Sequence, residues 1–194
     1  MGANCVTLPD GRRTCSIPGR PLRRRRRRGL LLPDADGGRD DEARMEYASV
    51  ASFAELGLQL MALGAPAPLV ARCHAAAIDE IEHAATLDRL AGRDAIPFGA
   101  IPHLFGRRLG GRTRSRRRHL ARIAVESFRD GWLNEGASAS DFEARARRAA
   151  SAEERRALEQ VAADERRHAE LGRDVVLWCF EESPQSVGRA LARA

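Results

Sequence analysis

Apolar residues recur every three or four positions through residues 41–183, the spacing that gives an α-helix one buried face. The spacing predicts four helices, at roughly 41–63, 66–92, 117–148 and 151–183. Gly64 and Pro66 separate the first two, because glycine ends helices and proline suits the first turn of the next. Ser151 followed by Glu154 is a capping box, which opens the fourth helix.

The segments around these helices have a different composition. Residues 1–40 are rich in Arg, Pro, Gly and Asp and have no apolar period, so we expect a disordered leader. Residues 93–116 form a long connection, and residues 184–194 form a C-terminal tail. We therefore predict an all-α fold, with a four-helix bundle at 41–183 made of two antiparallel hairpins joined by a long crossover.

Charged residues interrupt the apolar stripes of the predicted helices. The stripe of the second helix is Leu69, Cys73, Ala76, Glu80, His83, Leu87 and Leu90. The stripe of the fourth helix is Leu158, Val161, Glu165, His168, Gly172, Val175 and Cys179. Glu-x-x-His thus occurs twice on a face that should be buried. The stripes of the first and third helices each contain one glutamate, Glu46 and Glu135.

Glu126 is a rival to Glu135 on the third helix. The two lie nine residues apart, and at 100° per residue this places them on opposite faces of an α-helix. Glu126 shares its face with Arg122, whereas Glu135 shares its face with Phe128 and Trp132. We therefore predict that Glu135 points inward.

The register of the two hairpins tests this selection independently. In an antiparallel hairpin, residues equally far from the turn lie at the same height. Glu46 and His83 both lie 18 residues from the first turn, at 64–65. Glu135 and Glu165 both lie 15 residues from the second turn, near residue 150. At a rise of about 1.5 Å per residue, all these groups should fall in one layer about 22 to 27 Å from each turn.

Four carboxylates and two imidazoles in one buried layer require compensation, because even one uncompensated buried charge costs several kcal/mol. Two divalent cations would neutralise the four carboxylates. An oxygen-rich ligand set with one imidazole per metal suits iron or manganese better than zinc or copper. We therefore predict two iron ions, with manganese as the alternative, and no organic cofactor. A bundle with Glu/His ion pairs and no metal is the competing interpretation. The predicted ligands are Glu46, Glu80, His83, Glu135, Glu165 and His168.

This ligand pattern resembles that of the ferritin-like di-iron carboxylate superfamily, in which two helices give one Glu each and two give Glu-x-x-His. The stretches Met45–Phe53, Asp79–Ala84 and Asp164–Leu171 are similar to small stand-alone bacterial ferritin-like proteins. The symmetric ligand set looks more like bacterioferritins, rubrerythrins and the oxygenases than like animal storage ferritins. Because the chain lacks the paired CxxC of rubrerythrins, the resemblance implies an external electron donor.

The resemblance implies a possible di-iron oxidoreductase or oxygenase that activates O2 or peroxide at the metal centre, without a separately identified catalytic residue. A metal-binding or iron-storage protein is the alternative. An RNA-modifying hydroxylase that holds its substrate through arginine-rich segments is a weaker one. The organic substrate, if there is one, and a homodimer are left open.

The net charge of +6 lies outside the predicted metal layer. Residues 1–44 and 107–118 carry the arginine excess, and the rest of the chain is net acidic. All 33 basic residues are arginine, which suggests composition bias as much as selection, and no aromatic residues interleave with the arginine runs as a base-stacking surface requires. We therefore expect no nucleic-acid partner.

The four cysteines are scattered without metal-finger spacing, and no apolar run is long enough for a membrane span. A reduced cytoplasmic protein without a membrane partner is therefore the expectation. Cys5 and Cys15 could form a small disulfide loop in an oxidising compartment. Cys73 and Cys179 lie on the predicted inner stripes, where we expect them to act as small core residues.

Overall fold

The computed structural model describes residues 4–7, 13–16, 40–93 and 115–194. Almost all of these residues are helical, as a helical bundle requires. The elements in chain order are β1 (Asn4–Thr7), β2 (Arg13–Ser16), α1 (Asp40–Leu63), α2 (Ala67–Leu90), α3 (Arg116–Glu126), a π-helix (Ser127–Asn134), α4 (Glu135–Ala146), α5 (Ala152–Glu182) and α6 (Pro184–Leu191). No helix in these ranges is both long enough and apolar enough to cross a membrane.

The chain divides into two compact units, one of residues 25–112 and one of residues 1–24 with 113–194. We call them the first-hairpin unit and the second-hairpin unit. The predicted crossover at 93–116 falls almost entirely on residues 94–114, which lie outside the described residues. The arrangement of the two hairpins as one ferritin-like bundle stays a prediction.

The first-hairpin unit consists of α1 packed on α2. Its turn is where the sequence predicts it, because Gly64 adopts a positive φ of 76° that side chains rarely tolerate. The N–H of Ala65 donates to the carbonyl of Leu60 at 3.0 Å and closes the end of α1. Phe53 and Cys73 contribute to its buried apolar face. The predicted bounds of α2 agree to within two residues, and five of its seven stripe residues are buried, while Leu69 and Leu90 are half-buried.

The second-hairpin unit pairs the continuous helical segment 116–146 with α5. All seven residues of the predicted α5 stripe are buried. The capping box is also observed, since the Ser151 hydroxyl accepts from the Glu154 N–H at 3.0 Å. Glu154 Oε2 in turn accepts from the N–H of Ala150 at 2.8 Å, one residue earlier than in the standard motif.

The third helix differs from the prediction of one continuous α-helix. Its middle, Ser127–Asn134, is a π-helix, whose wider turns bond residue i to i+5. Gly131 lies at the centre of this stretch and faces Gly172 of α5, with the two backbones in direct contact. The absence of both side chains permits this approach, which local helix propensity does not reveal.

Most of the C-terminal segment 184–194, predicted as a tail, forms the helix α6. Pro184 occupies the start of α6, a position that proline favours, and α6 packs on α3 and α5. Val187 and Leu191 are 0% and 6% exposed, so this helix belongs to the core of the second-hairpin unit. Residues 184–194 thus belong to the same compact unit as α5.

The leader also contains regular structure that the sequence analysis did not predict. Strands β1 and β2 pair antiparallel, with Cys5 opposite Cys15 in the register. The sequence between them includes Pro9, Asp10 and Gly11, residues typical of a turn between strands. These turn residues indicate a hairpin, whereas the arginine-rich composition of residues 1–40 favours disorder.

Candidate metal centre

Helix α2 brings one buried carboxylate and one buried imidazole to the same side of the first-hairpin unit. Glu80 is 0% exposed and His83 is 2% exposed. A spacing of three residues places the two side chains on the same face. Nδ1 of His83 lies 3.8 Å from Oε2 of Glu80, which is beyond hydrogen-bond distance.

Helix α5 repeats this arrangement in the second-hairpin unit. Glu165 is 0% exposed and His168 is 2% exposed. Nδ1 of His168 lies 3.7 Å from Oε2 of Glu165. The same two residue types thus adopt the same separation on two helices that begin 85 residues apart in the sequence.

A third carboxylate joins each pair from the neighbouring helix. In the first-hairpin unit, Glu46 of α1 offers a ligand atom within 4.8 Å of ligand atoms of Glu80 and His83. In the second-hairpin unit, Glu135 at the start of α4 does the same for Glu165 and His168. The predicted register within each hairpin is confirmed. These two groups of three residues are called the α1–α2 triad and the α4–α5 triad.

The spacing within each Glu-x-x-His pair fits a small divalent cation. Ligand atoms about 2.1 Å from one ion are about 3.0 Å apart at a right angle and about 3.6 Å apart at 120°. The observed Nδ1 to Oε2 separations of 3.8 and 3.7 Å are close to the larger value. Carboxylate oxygens with one imidazole nitrogen form a ligand set that binds divalent metals. The structure therefore contains acidic and histidine groups that could hold a metal ion.

Apolar side chains occupy the same helix faces one and two turns away from the triads. On α2, Ala76 and Leu87 flank the Glu80 pair and are 2% and 4% exposed. On α5, Val161 and Val175 flank the Glu165 pair and are 2% and 0% exposed. Burial of each Glu-x-x-His pair limits its contact with bulk water, which strengthens electrostatic interactions with a cation, whereas Glu46 and Glu135 are half-buried.

The two buried cysteines on these stripes do not add to the ligand set. Burial raises the pKa of the Cys73 thiol from 9.0 to about 12, and it has the same effect on Cys179. Thiols with this pKa stay protonated at neutral pH, and among the described residues neither cysteine belongs to the groups that could hold a metal ion. Both residues are 0% exposed, as expected of core residues.

Three acidic residues near the triads lie on partly or fully exposed faces. Glu126 Oε2 accepts from Arg122 Nη1 at 2.7 Å, and both side chains are more than a third exposed. This contact confirms that Glu126 shares its face with Arg122. Glu82, which lies inside the first Glu-x-x-His motif, and Glu170, two residues after the second, are exposed. The selection of Glu135 over Glu126 therefore agrees with the structure.

Asp164, the residue before Glu165, is buried and 5% exposed. Its Oδ1 accepts from Gln160 Nε2 at 2.9 Å and lies 2.6 Å from Arg167 Nη2. Both partners belong to α5, so these contacts run along the helix. These two contacts stabilise α5 beside the α4–α5 triad.

The π-helix is the feature of the site that sequence reasoning missed. It ends at Asn134, directly before Glu135, and Phe128 and Trp132 within it pack edge to face with ring centroids 6.0 Å apart. Segments of π-helix occur often at functional sites. A glycine at position 131 within a predicted helix was the only local signal.

Comparison with known proteins finds no matching family model, no matching curated protein and no matching solved structure. The resemblance to the ferritin-like superfamily therefore rests on the motifs and their spacing.

Proposed function

We propose that the chain is a ferritin-like di-metal carboxylate protein, most simply a di-iron one, that activates O2 or peroxide. The observation that carries this proposal is the repeated triad. Each hairpin independently brings one Glu-x-x-His pair and one further glutamate within 4.8 Å of one another. A chance cluster of acids on one hairpin would give no reason for the same geometry on the other.

In this proposal the six side chains of the two triads bind two metal ions. Two divalent cations would balance the formal charge of the four glutamates, which otherwise carries a large desolvation cost. When bound, a pair of iron ions would supply redox chemistry, passing electrons from an external donor to O2 or peroxide. Glu80 and Glu165 would hold the ions in a site from which bulk water is excluded. His83 and His168 would complete the ligand set through Nδ1, the atom nearest each partner carboxylate.

Metal analysis of the full chain expressed with added iron tests the binding part of the proposal. We expect about two metal ions per chain, and fewer than about one per two chains would refute it. Glu165→Ala should lose most of the bound metal, because it removes a buried oxygen ligand. Glu170→Ala on the same helix is the matched control, since Glu170 is exposed and should retain the metal content.

Oxygen consumption tests the redox part. Fe(II) is added anaerobically, air is then admitted, and the optical spectrum and O2 concentration are followed. We expect rapid O2 uptake that Glu165→Ala abolishes and Glu170→Ala preserves. Metal binding without O2 or peroxide turnover would refute the oxidoreductase proposal and favour sequestration. Size-exclusion chromatography would then distinguish storage, which requires a large closed shell, from simple binding.

A further inference from the structure

A second candidate binding site lies in the second-hairpin unit, in an open surface cavity of about 220 Å³ between α3 and α6 whose arginine side chains are exposed. We call it the arginine cavity. It is smaller than typical pockets for drug-sized ligands, so it suits a small ion or a single functional group. Its lining consists of Arg118, Ala121, Ser186, Arg189, Ala190 and Arg193.

Two helix faces assemble this lining. Ser186, Arg189 and Arg193 follow one another at intervals of three and four residues, so they share one face of α6 and the turn after it. Arg118 extends from the first turn of α3. Val187 and Leu191 are buried and anchor α6 against the rest of the unit, which fixes the arginine-bearing face toward the cavity.

The charge of the cavity is uniformly positive. Among the described residues, its lining contains three guanidinium groups and no carboxylate. Within residues 40–93 and 115–194 no ion pair engages these three arginine side chains, in contrast to Arg116, which pairs with Glu182 at 2.7 Å. Like charges four residues apart on a helix, such as Arg189 and Arg193, repel each other. A bound anion would remove that repulsion.

We propose that the arginine cavity binds a small phosphate-bearing anion. Guanidinium groups bind phosphate oxygens through paired N–H donors, and the Ser186 hydroxyl offers a further donor. The volume accommodates inorganic phosphate, pyrophosphate or the phosphate group of a small monoester. The eight residues from Arg118 to Glu126 alone span about 12 Å of α-helix, and the π-helix lies between them and Glu135, so this site is separate from the α4–α5 triad. The proposal does not depend on the proposed redox function.

Calorimetric titration of the full chain with inorganic phosphate tests the proposal, with pyrophosphate and a sugar phosphate as further probes at matched ionic strength. We expect saturable binding that weakens about tenfold or more in Arg189→Gln/Arg193→Gln. The control is Arg147→Gln/Arg156→Gln, which removes the same charge at exposed positions outside the cavity. It should change the affinity by less than about twofold, because distant exposed charges are screened.

Two further variants distinguish phosphate binding in the arginine cavity from diffuse charge attraction and from binding at the metal site. Arg189→Lys/Arg193→Lys keeps the charge but removes the paired donors, so we expect several-fold weaker binding; unchanged affinity would indicate diffuse attraction and overturn the proposal. Phosphate also coordinates metals, so the titration is repeated with Glu165→Ala. We expect retained affinity, and loss of binding there would assign phosphate to the metal site. The proposal that the arginine cavity binds a small phosphate-bearing anion would also be overturned if none of the three probes bound saturably, or if only RNA bound.

Discussion

The close approach of Gly131 and Gly172 makes a specific prediction about the stability of the second-hairpin unit. A Cβ atom added at Gly172 would lie 2.6 Å from the carbonyl carbon of Gly131 and 2.7 Å from the amide nitrogen of Trp132. Both neighbours are backbone atoms and cannot rotate away. The π-helix would have to move relative to α5, and the packing beside Glu135 would move with it.

The magnitude follows from two opposing effects. Alanine favours a helix interior by about 1 kcal/mol over glycine, which stabilises the variant. Overpacking that forces backbone shifts costs about 1–3 kcal/mol, occasionally more, and a contact of 2.6 Å with backbone belongs at the upper end. We therefore expect Gly172→Ala to lower the free energy of unfolding by about 2 kcal/mol net. For a chain of this size, that corresponds to a Tm lower by roughly 4–8 °C.

The matched control is Gly136→Ala in α4, five residues after Gly131. A Cβ there would lie 3.9 Å from the Cβ of Ala169, an ordinary van der Waals contact. We expect this variant to be neutral or stabilised by up to about 1 kcal/mol, from helix propensity alone. Thermal unfolding followed by circular dichroism compares the two. If Gly172→Ala melts at or above the wild-type temperature, the backbone contact does not constrain the π-helix and the reasoning fails.

Three further predictions concern the cap, the buried thiols and a buried histidine. Ser151→Ala should lower the free energy of unfolding by about 1 kcal/mol in chemical denaturation, while Ser151→Asp should retain it because aspartate also caps. Cys73 and Cys179 should stay unmodified by a thiol reagent at pH 8 in the folded protein, because burial raises each pKa to about 12; peptide mapping should find both modified only after denaturation. Burial, aided by the nearby Arg122, lowers the pKa of His119 from its ordinary 6.5, so the unfolded chain binds the proton first as the pH falls. The Tm should therefore fall as the pH drops below about 6.5, and less steeply in His119→Gln; equal slopes would contradict this assignment.

The helix boundaries were predictable because strong local signals mark them. Gly64 ends α1 through its positive φ, and Ser151 caps the start of α5 through its hydroxyl. Both effects involve only residues close in sequence. The buried stripes were predictable for the same reason, since a period of three and four residues over six or seven positions leaves little ambiguity. Within each hairpin, equal distance from the turn then placed the candidate ligands near one another.

The π-helix was not predictable, because its cause lies in another part of the chain. Gly131 alone indicates a weak point in an α-helix, and only the facing Gly172 turns it into a backbone contact. The rotation of 100° per residue that places Glu126 and Glu135 on opposite faces applies to an α-helix. It does not hold across the π-helix Ser127–Asn134, which lies between them. The selection of Glu135 agrees with the structure because its distance from the second turn is measured along α4, beyond the π-helix.

The burial of the two Glu-x-x-His pairs connects the fold to the proposed function through their energetic cost. Replacing buried charged groups by apolar residues of similar size is often neutral or stabilising, so a helix stripe gains nothing in stability by keeping Glu80 or Glu165. Both are nevertheless 0% exposed, on stripes whose neighbouring positions are apolar. A bound cation would supply the missing stabilisation, because it binds the folded chain more tightly than the unfolded one. On this reasoning the metal would be part of what holds each hairpin's core together, and the stability of the core would depend on metal occupancy.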